Sequence, residues 1–213
     1  MPPARRAWSR GEEIANSVSH TAGFLAAVAG APFLISQALR HGGAGSVIGA
    51  VVFIVTAMLL YFSSAAHHWL PAGPGKDTFE VVDHAAIFLM IAGSYTPFAL
   101  GVLWGWWGVL LLSVIWPLAL VGVALKAVRG IRRSWLTVAL YVAMGWFMVV
   151  ALRPLLERAS VDCVWFLLAG GIAYTGGLVF YSVRSVPYHH LAWHLAVLAG
   201  TAFHYFAVLR SWR

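Results

Sequence analysis

Three groups of histidines stand at the edges of apolar segments: His67 and His68 after Ser64-Ala65-Ala66, His84 beside Asp83, and His189-His190 followed by His194. Imidazoles and carboxylates next to hydrocarbon are costly to maintain, so each marks a functional site by default. His190 and His194 are four residues apart. In a helix that spacing puts both rings on one face, about 6 Å apart along the axis, as two ligands of one metal require. A third histidine from the 67–68 pair would complete a set of three imidazoles. Such a set suits zinc (Zn2+) better than calcium or magnesium, which prefer oxygen. With a fourth position open to water, zinc lowers the pKa of that water toward roughly 7, the chemistry of a hydrolase. Asp83 is then the expected general base, and Ser64, one turn before His68, is placed to steady the site or contact an oxyanion.

Each feature also has a plainer reading. A histidine pair on an interfacial helix can be merely amphipathic and wet. Asp83 can cap a helix N-terminus, where carboxylates are favoured. A serine such as Ser64 is more often a packing residue in membrane helices. The chemical reading gains from having a third histidine and a carboxylate at matching depth.

The elements that must position these groups follow from composition. The chain has 213 residues, 61% hydrophobic and only 10% charged, too few charges to cover the surface of a soluble domain. It is expected to be an all-α, polytopic membrane protein. No Asp, Glu, Lys or Arg lies between Arg40 and Lys76 or between Asp83 and Lys126. Spans of roughly 20 residues each then fall at about 17–39, 46–70, 80–102, 106–126, 134–152, 162–183 and 187–209. Seven spans with short connections imply a single domain over 1–213, with a polar leader at about 1–13.

With the N-terminus cytoplasmic, Arg5, Arg6, Arg10, Lys76, Lys126, Arg129, Arg132, Arg133 and Arg184 lie inside, and Arg40, Arg153, Arg158, Arg210 and Arg213 lie outside. That excess of basic residues inside supports N-terminus in and C-terminus out. The net charge of +7 is therefore a topology signal, and no recognition motif accompanies it to imply nucleic acid. The same topology brings His68, Asp83, His190 and His194 to a similar depth near the cytoplasmic side of the plasma (inner) membrane. A cleavable signal peptide is not expected, because the apolar stretch after the leader is longer than a signal core. Cys163 is the only cysteine, which excludes an intrachain disulfide and a thiolate cluster, so a metal here depends on histidine and carboxylate.

Other residues have structural readings. Gly170, Gly171, Gly176 and Gly177 allow close helix approach in span six. Trp104, Trp106 and Trp107 fit an interfacial belt between spans three and four. Pro97 is expected to kink span three, and a kink can open a cavity.

Taken together, Ser64-Ala-Ala-His-His68 with Leu70-Pro71, Asp83-His-Ala-Ala-Ile87 running into Ile91-Ala-Gly-Ser-Tyr-Thr-Pro-Phe98, and Tyr188-His-His-Leu-Ala-Trp-His194 with Gly200 and His204-Tyr-Phe-Ala-Val208 resemble the hemolysin III family. This is the bacterial branch of the progestin and adipoQ receptors, relatives of the adiponectin receptors. Glu12-Glu-Ile-Ala-Asn16 with Ser19-His20, and Met144-Gly145-Trp146, fit as well. The resemblance spans nearly the whole chain. It implies seven helices, an inside N-terminus, and zinc held by one histidine of span two and two of span seven. Read back from Leu70-Pro71, the family's Ser-x-x-x-His motif selects Ser64 and His68. Because both residues are doubled, Ser63 and His67 form an alternative register that local spacing cannot separate. The family's second motif maps onto His190 and His194, and its aspartate, linked to zinc through water, onto Asp83.

His204 lies about 15 Å beyond His194 along the helix, too far to share a metal. His20 is expected in a structural hydrogen bond or supporting the ligands, and His84 and His41 at the interface. The leading functional expectation is a zinc-dependent hydrolase of lipid amide or ester bonds, because the site would open within the bilayer and related receptors are linked to ceramide hydrolysis. A non-enzymatic receptor or sensor with structural zinc is the alternative. A pore-forming cytolysin is a minor one, since permanently inserted spans do not suit a toxin that must first be soluble. A retinal pump is excluded by the absence of lysine from span seven. Membrane lipids are the expected partners.

Overall fold

The computed structural model describes residues 8–129, 135–183 and 185–211. Its helices are α1 Arg10–His41, α2 Ala44–Trp69, α3 Pro74–Leu100, α4 Trp106–Arg129, α5 Trp135–Trp146, α6 Leu152–Arg158, α7 Val161–Ser182 and α8 His189–Arg210, with a 3-10 turn Phe147–Ala151 between α5 and α6. Seven segments are long and apolar enough to cross a membrane, the fifth being Trp135–Arg158, which combines α5, the 3-10 turn and α6. Of the basic residues used to assign orientation, Arg5, Arg6, Arg132, Arg133, Arg184 and Arg213 lie outside the described residues.

Several helices outrun their apolar cores. α1 starts at Arg10, within the expected polar leader, because Ser9 and Glu12 form a capping box. The Ser9 hydroxyl accepts from the Glu12 amide at 3.3 Å, and Glu12 Oε2 accepts from the Ser9 amide at 2.8 Å. α3 likewise begins early, with Pro74 at a first-turn position where no amide is needed. α6 carries the fifth span on to Arg158, and its exposed Arg153 and Glu157 pair at 2.9 Å one turn apart.

The fifth span is also not one continuous α-helix. Tyr95 of α3 donates its hydroxyl to the carbonyls of Met144 at 2.6 Å and Gly145 at 2.9 Å, and accepts from the Met148 amide at 2.8 Å. A side chain inserted into the backbone ladder breaks the α-helical pattern there, which accounts for the 3-10 turn.

α3 is the central helix. Of its most apolar 18-residue window 72% is buried, against 50% for α2 and 33% or less for the other spans. One core cluster joins α1, α2, α3, α7 and α8 around Phe53, Tyr61 and Val208; a second joins α3, α4 and α5 around Phe88, Leu111 and Met144. The outer faces remain apolar, as lipid requires, with Leu25, Val55, Phe62, Leu120 and Ile172 exposed. Small residues bring backbones together: a Cβ on Gly93 would collide with Thr56, and one on Gly49 with Pro97. The backbone of α2 at Gly49 thus packs directly against Pro97. In α7, Gly170 makes room for His204 and Gly177 for Ala196 and Trp193, whereas Gly176 faces open space. Trp104 and Trp106 are exposed at the α3–α4 turn, and Trp107 packs on the second core cluster.

Candidate metal centre

His68 closes the last turn of α2, while His190 and His194 occupy the first turns of α8. Packing of α1 against both α2 and α8 holds these helices side by side. One ligand nitrogen from each of the three histidines lies within 4.8 Å of the others, and all three residues are buried. The rings of His68 stand 5.1 Å from those of His190 and His194, which are 4.5 Å from each other.

The start of α8 is held under strain. Tyr188, just before it, has φ 57°, a left-handed conformation costly for a residue with a side chain. Its amide donates to Glu12 Oε1 at 2.9 Å, so the carboxylate that caps α1 also sets the entry of α8.

Hydrogen bonds fix which nitrogen of two rings carries the proton. His68 Nδ1 lies 2.6 Å from Glu13 Oε2, so Nδ1 donates and Nε2 keeps the lone pair. Glu13 is in turn held by Lys76 Nζ at 3.0 Å, and the same ammonium donates to the His67 carbonyl at 2.7 Å at the end of α2. His194 Nδ1 sits 3.2 Å from the Asn16 carbonyl and 3.0 Å from the Ser19 hydroxyl. A carbonyl can only accept, so here too Nε2 keeps the lone pair. Three buried imidazoles, two of them oriented from behind in this way, form a donor set able to hold a metal ion.

Aromatic rings close the group. The Trp8 indole stacks on His190 at 4.7 Å with a 25° tilt and lies 5.0 Å from the His68 ring. His20 stacks almost parallel on His194 at 3.6 Å. The hydrogen bond expected for His20 is not found, since neither of its ring nitrogens has a partner among the described residues.

The two registers of the doubled serines and histidines separate in space. Ser63 donates to the Leu59 and Leu60 carbonyls of its own helix, and His67 Nδ1 turns toward the Lys76 carbonyl at 3.4 Å. Ser64 is buried with no hydrogen-bond partner for its hydroxyl among the described residues, and His68, not His67, belongs to the group of three. Asp83 is buried in α3, 9% exposed, and is not one of the three grouped donors. Beside it, the Tyr141 hydroxyl donates to the His84 carbonyl at 2.9 Å, tying α5 to α3. His84, expected at the interface, is buried with Nδ1 on the Glu80 carbonyl at 2.8 Å, whereas His41 is exposed at the end of α1. His189 turns away to the Phe180 carbonyl at 3.0 Å, and His204 packs against Gly170 and Tyr174.

Glu13, Ser19 and Trp8 were not singled out from sequence as site residues. The first two carry a partial signal, since a carboxylate and a hydroxyl at the start of an apolar span are costly unless paired. Trp8 carries none.

The profile of the family described as Haemolysin-III related matches residues 8–205. The "Hemolysin-3 homolog" of Bacillus subtilis (strain 168) is 40% identical over 198 residues, covering 93% of each chain. The "Hemolysin-3" of Bacillus cereus is 40% identical over 201 residues, covering 93% of this chain and 90% of the relative. The human "Monocyte to macrophage differentiation factor" is 28% identical over 138 residues, covering 61% of this chain and 54% of the relative. No solved structure matches the chain. With seven membrane-length helices and a match along nearly its whole length, the chain belongs to the haemolysin III family, within the wider progestin and adipoQ receptor group.

Proposed function

We propose that the protein is a zinc-dependent hydrolase of an amide or ester bond in a membrane lipid, seated in the bacterial plasma membrane with its metal site toward the cytoplasm. The observation that carries this reading is the grouping of His68, His190 and His194, with ligand nitrogens within 4.8 Å and two rings fixed as Nε2 donors by Glu13 and by Asn16 with Ser19. These three side chains would hold the ion. When bound, zinc supplies a Lewis acid and lowers the pKa of water toward about 7. Asp83 acts as general base, its carboxylate taking a proton from the attacking water and returning it to the leaving nitrogen or oxygen. Ser64 has a hydroxyl with no protein partner among the described residues, and it donates to the oxyanion that develops on the substrate carbonyl. Trp8 limits access of bulk water to the group.

A second reading, a receptor or sensor in which zinc is structural and holds α2, α3 and α8 together, is favoured by the Trp8 ring lying over His190 and His68. The cytolytic activity named in the Bacillus relatives is a third. Purified wild type and Asp83→Asn, analysed for metal and screened on lipid amides and esters, separate these. The hydrolase reading expects about one zinc per chain in both proteins and hydrolysis in wild type alone. Full activity in Asp83→Asn would remove that residue as base. Zinc without hydrolysis of any substrate would favour the structural role, and lysis of lipid vesicles by wild type would favour the cytolysin.

A further inference from the structure

The ends of α1, α2, α3, α6 and α8 line an open surface cavity of about 460 Å³, whose lining includes His41, Gly43, Ser46, Gly101, Arg158 and Ser211. It lies at the far end of α2 from His68; from Ser46 the helix runs 22 residues, about 33 Å, to that histidine. Among the described residues, no carboxylate lines it. Of the acidic residues near the α6–α7 connection, Glu157 is engaged by Arg153, and neither it nor Asp162 faces the cavity. Two basic side chains do, His41 at the end of α1 and Arg158 at the end of α6, both exposed.

The floor is the N-terminus of α2. Its N-cap is Gly43, which provides no side chain to accept from the first-turn amides, and a Cβ there would meet nothing within 4 Å. Helix N-termini carry partial positive charge and unsatisfied N–H groups, the usual elements of a phosphate cradle. A second observation is independent of the helix end. Ser46 is only 5% exposed, lines the cavity, and makes no hydrogen bond through its hydroxyl to another described residue. A hydroxyl on a buried residue, opening into a basic depression that no carboxylate lines among the described residues, is free to donate to an anion.

We infer that this cavity is a phosphate site, in which the α2 amides and Ser46 hold the anion from below and Arg158 and His41 from the sides. The phosphate is that of a lipid headgroup or of free inorganic phosphate. The guanidinium supplies planar, paired donors and the helix end a fixed field. The site is separate from the histidine group and stands whether or not that group is catalytic.

The test uses the full chain in neutral maltoside micelles as wild type, Arg158→Gln and Ser46→Ala, with folding checked by thermal melting. Inorganic phosphate is titrated by calorimetry, and retention of phosphatidylglycerol against phosphate-free diacylglycerol is read by native mass spectrometry. Wild type is expected to bind a phosphate-bearing probe, with affinity falling about tenfold in Arg158→Gln and several-fold in Ser46→Ala, as loss of charge-assisted and neutral hydrogen bonds implies. Variant-sensitive binding of phosphatidylglycerol alone identifies a headgroup site, and of inorganic phosphate a free-anion site. Binding of neither probe to wild type, or equal binding by folded wild type and both variants, overturns the assignment.

Discussion

Glu13 offers a direct measure of how far the surroundings of the histidine group act on metal binding. Its Oε2 lies 2.6 Å from His68 Nδ1, and Lys76 Nζ holds its other oxygen at 3.0 Å. The Glu13 side chain is only 23% exposed, so solvent weakens this bond little. Glu13→Ala removes an acceptor that fixes the ring's tautomer and orientation and makes Nε2 a stronger donor. Charge-assisted hydrogen bonds contribute about 1.5–3 kcal/mol. At about 1.4 kcal/mol per factor of ten, that corresponds to roughly 10- to 100-fold weaker zinc binding, the range known for groups that orient ligating histidines. Glu13→Gln, which keeps a neutral acceptor, is expected to fall between Glu13→Ala and wild type, and Lys76→Met to cost only a few-fold. The assay is competition against a zinc chelator of known affinity in detergent at fixed pH. The exposed Glu157→Ala serves as the control, with no expected change. Wild-type zinc affinity in a folded Glu13→Ala protein would refute the reasoning, because the 2.6 Å contact would then do nothing for the ligand.

Other substitutions test the geometry separately. His68→Ala should abolish stoichiometric metal in elemental analysis while His67→Ala retains it; the reverse result would mean that the other register supplies the donor. Tyr95→Phe removes one donor and one acceptor from the break between α5 and α6 and should destabilise the protein by about 1–3 kcal/mol, read as a lower melting temperature. An unchanged melting temperature would show that the turn does not depend on the hydroxyl. Gly93→Val forces a side chain against Thr56 where α2 and α3 meet and should cost about 1–3 kcal/mol or more, whereas Gly176→Val, facing open space, should cost far less. Equal melting temperatures for these two variants would contradict the packing.

The helices were legible because hydrocarbon demands about 20 apolar residues per span, a constraint that leaves long uncharged runs in the sequence. Their ends were less so. Ser9 with Glu12 starts α1 inside what reads as a polar leader, and Arg153 with Glu157 prolongs α6 beyond the apolar run. Polar residues continue a helix wherever it emerges from lipid, and hydropathy cannot register that. The break at Phe147–Ala151 was invisible for a different reason: its cause, Tyr95, is 49 residues from the carbonyl it engages at Met144. His190 and His194 could be paired from local spacing, because one turn of helix fixes their relation, but nothing local distinguished His67 from His68.

By itself, then, the sequence determined an integral membrane protein of seven spans, a family, and a small pool of histidines, since these follow from composition, period and motif. Local spacing left His67 and His68 open and the family's motif pointed to His68; only the tertiary structure shows where each imidazole of that pool lies. The rotation of α2 against α1 and α8 turns His68 toward His190 and His194 and leaves His67 on Lys76. The same packing brings Glu13, 55 positions before His68, and Ser19, 175 before His194, behind the ring nitrogens. Adjacent residues on a helix point about 100° apart, so which of two neighbouring imidazoles meets a partner is set by the packing of whole helices rather than by anything adjacent in the chain.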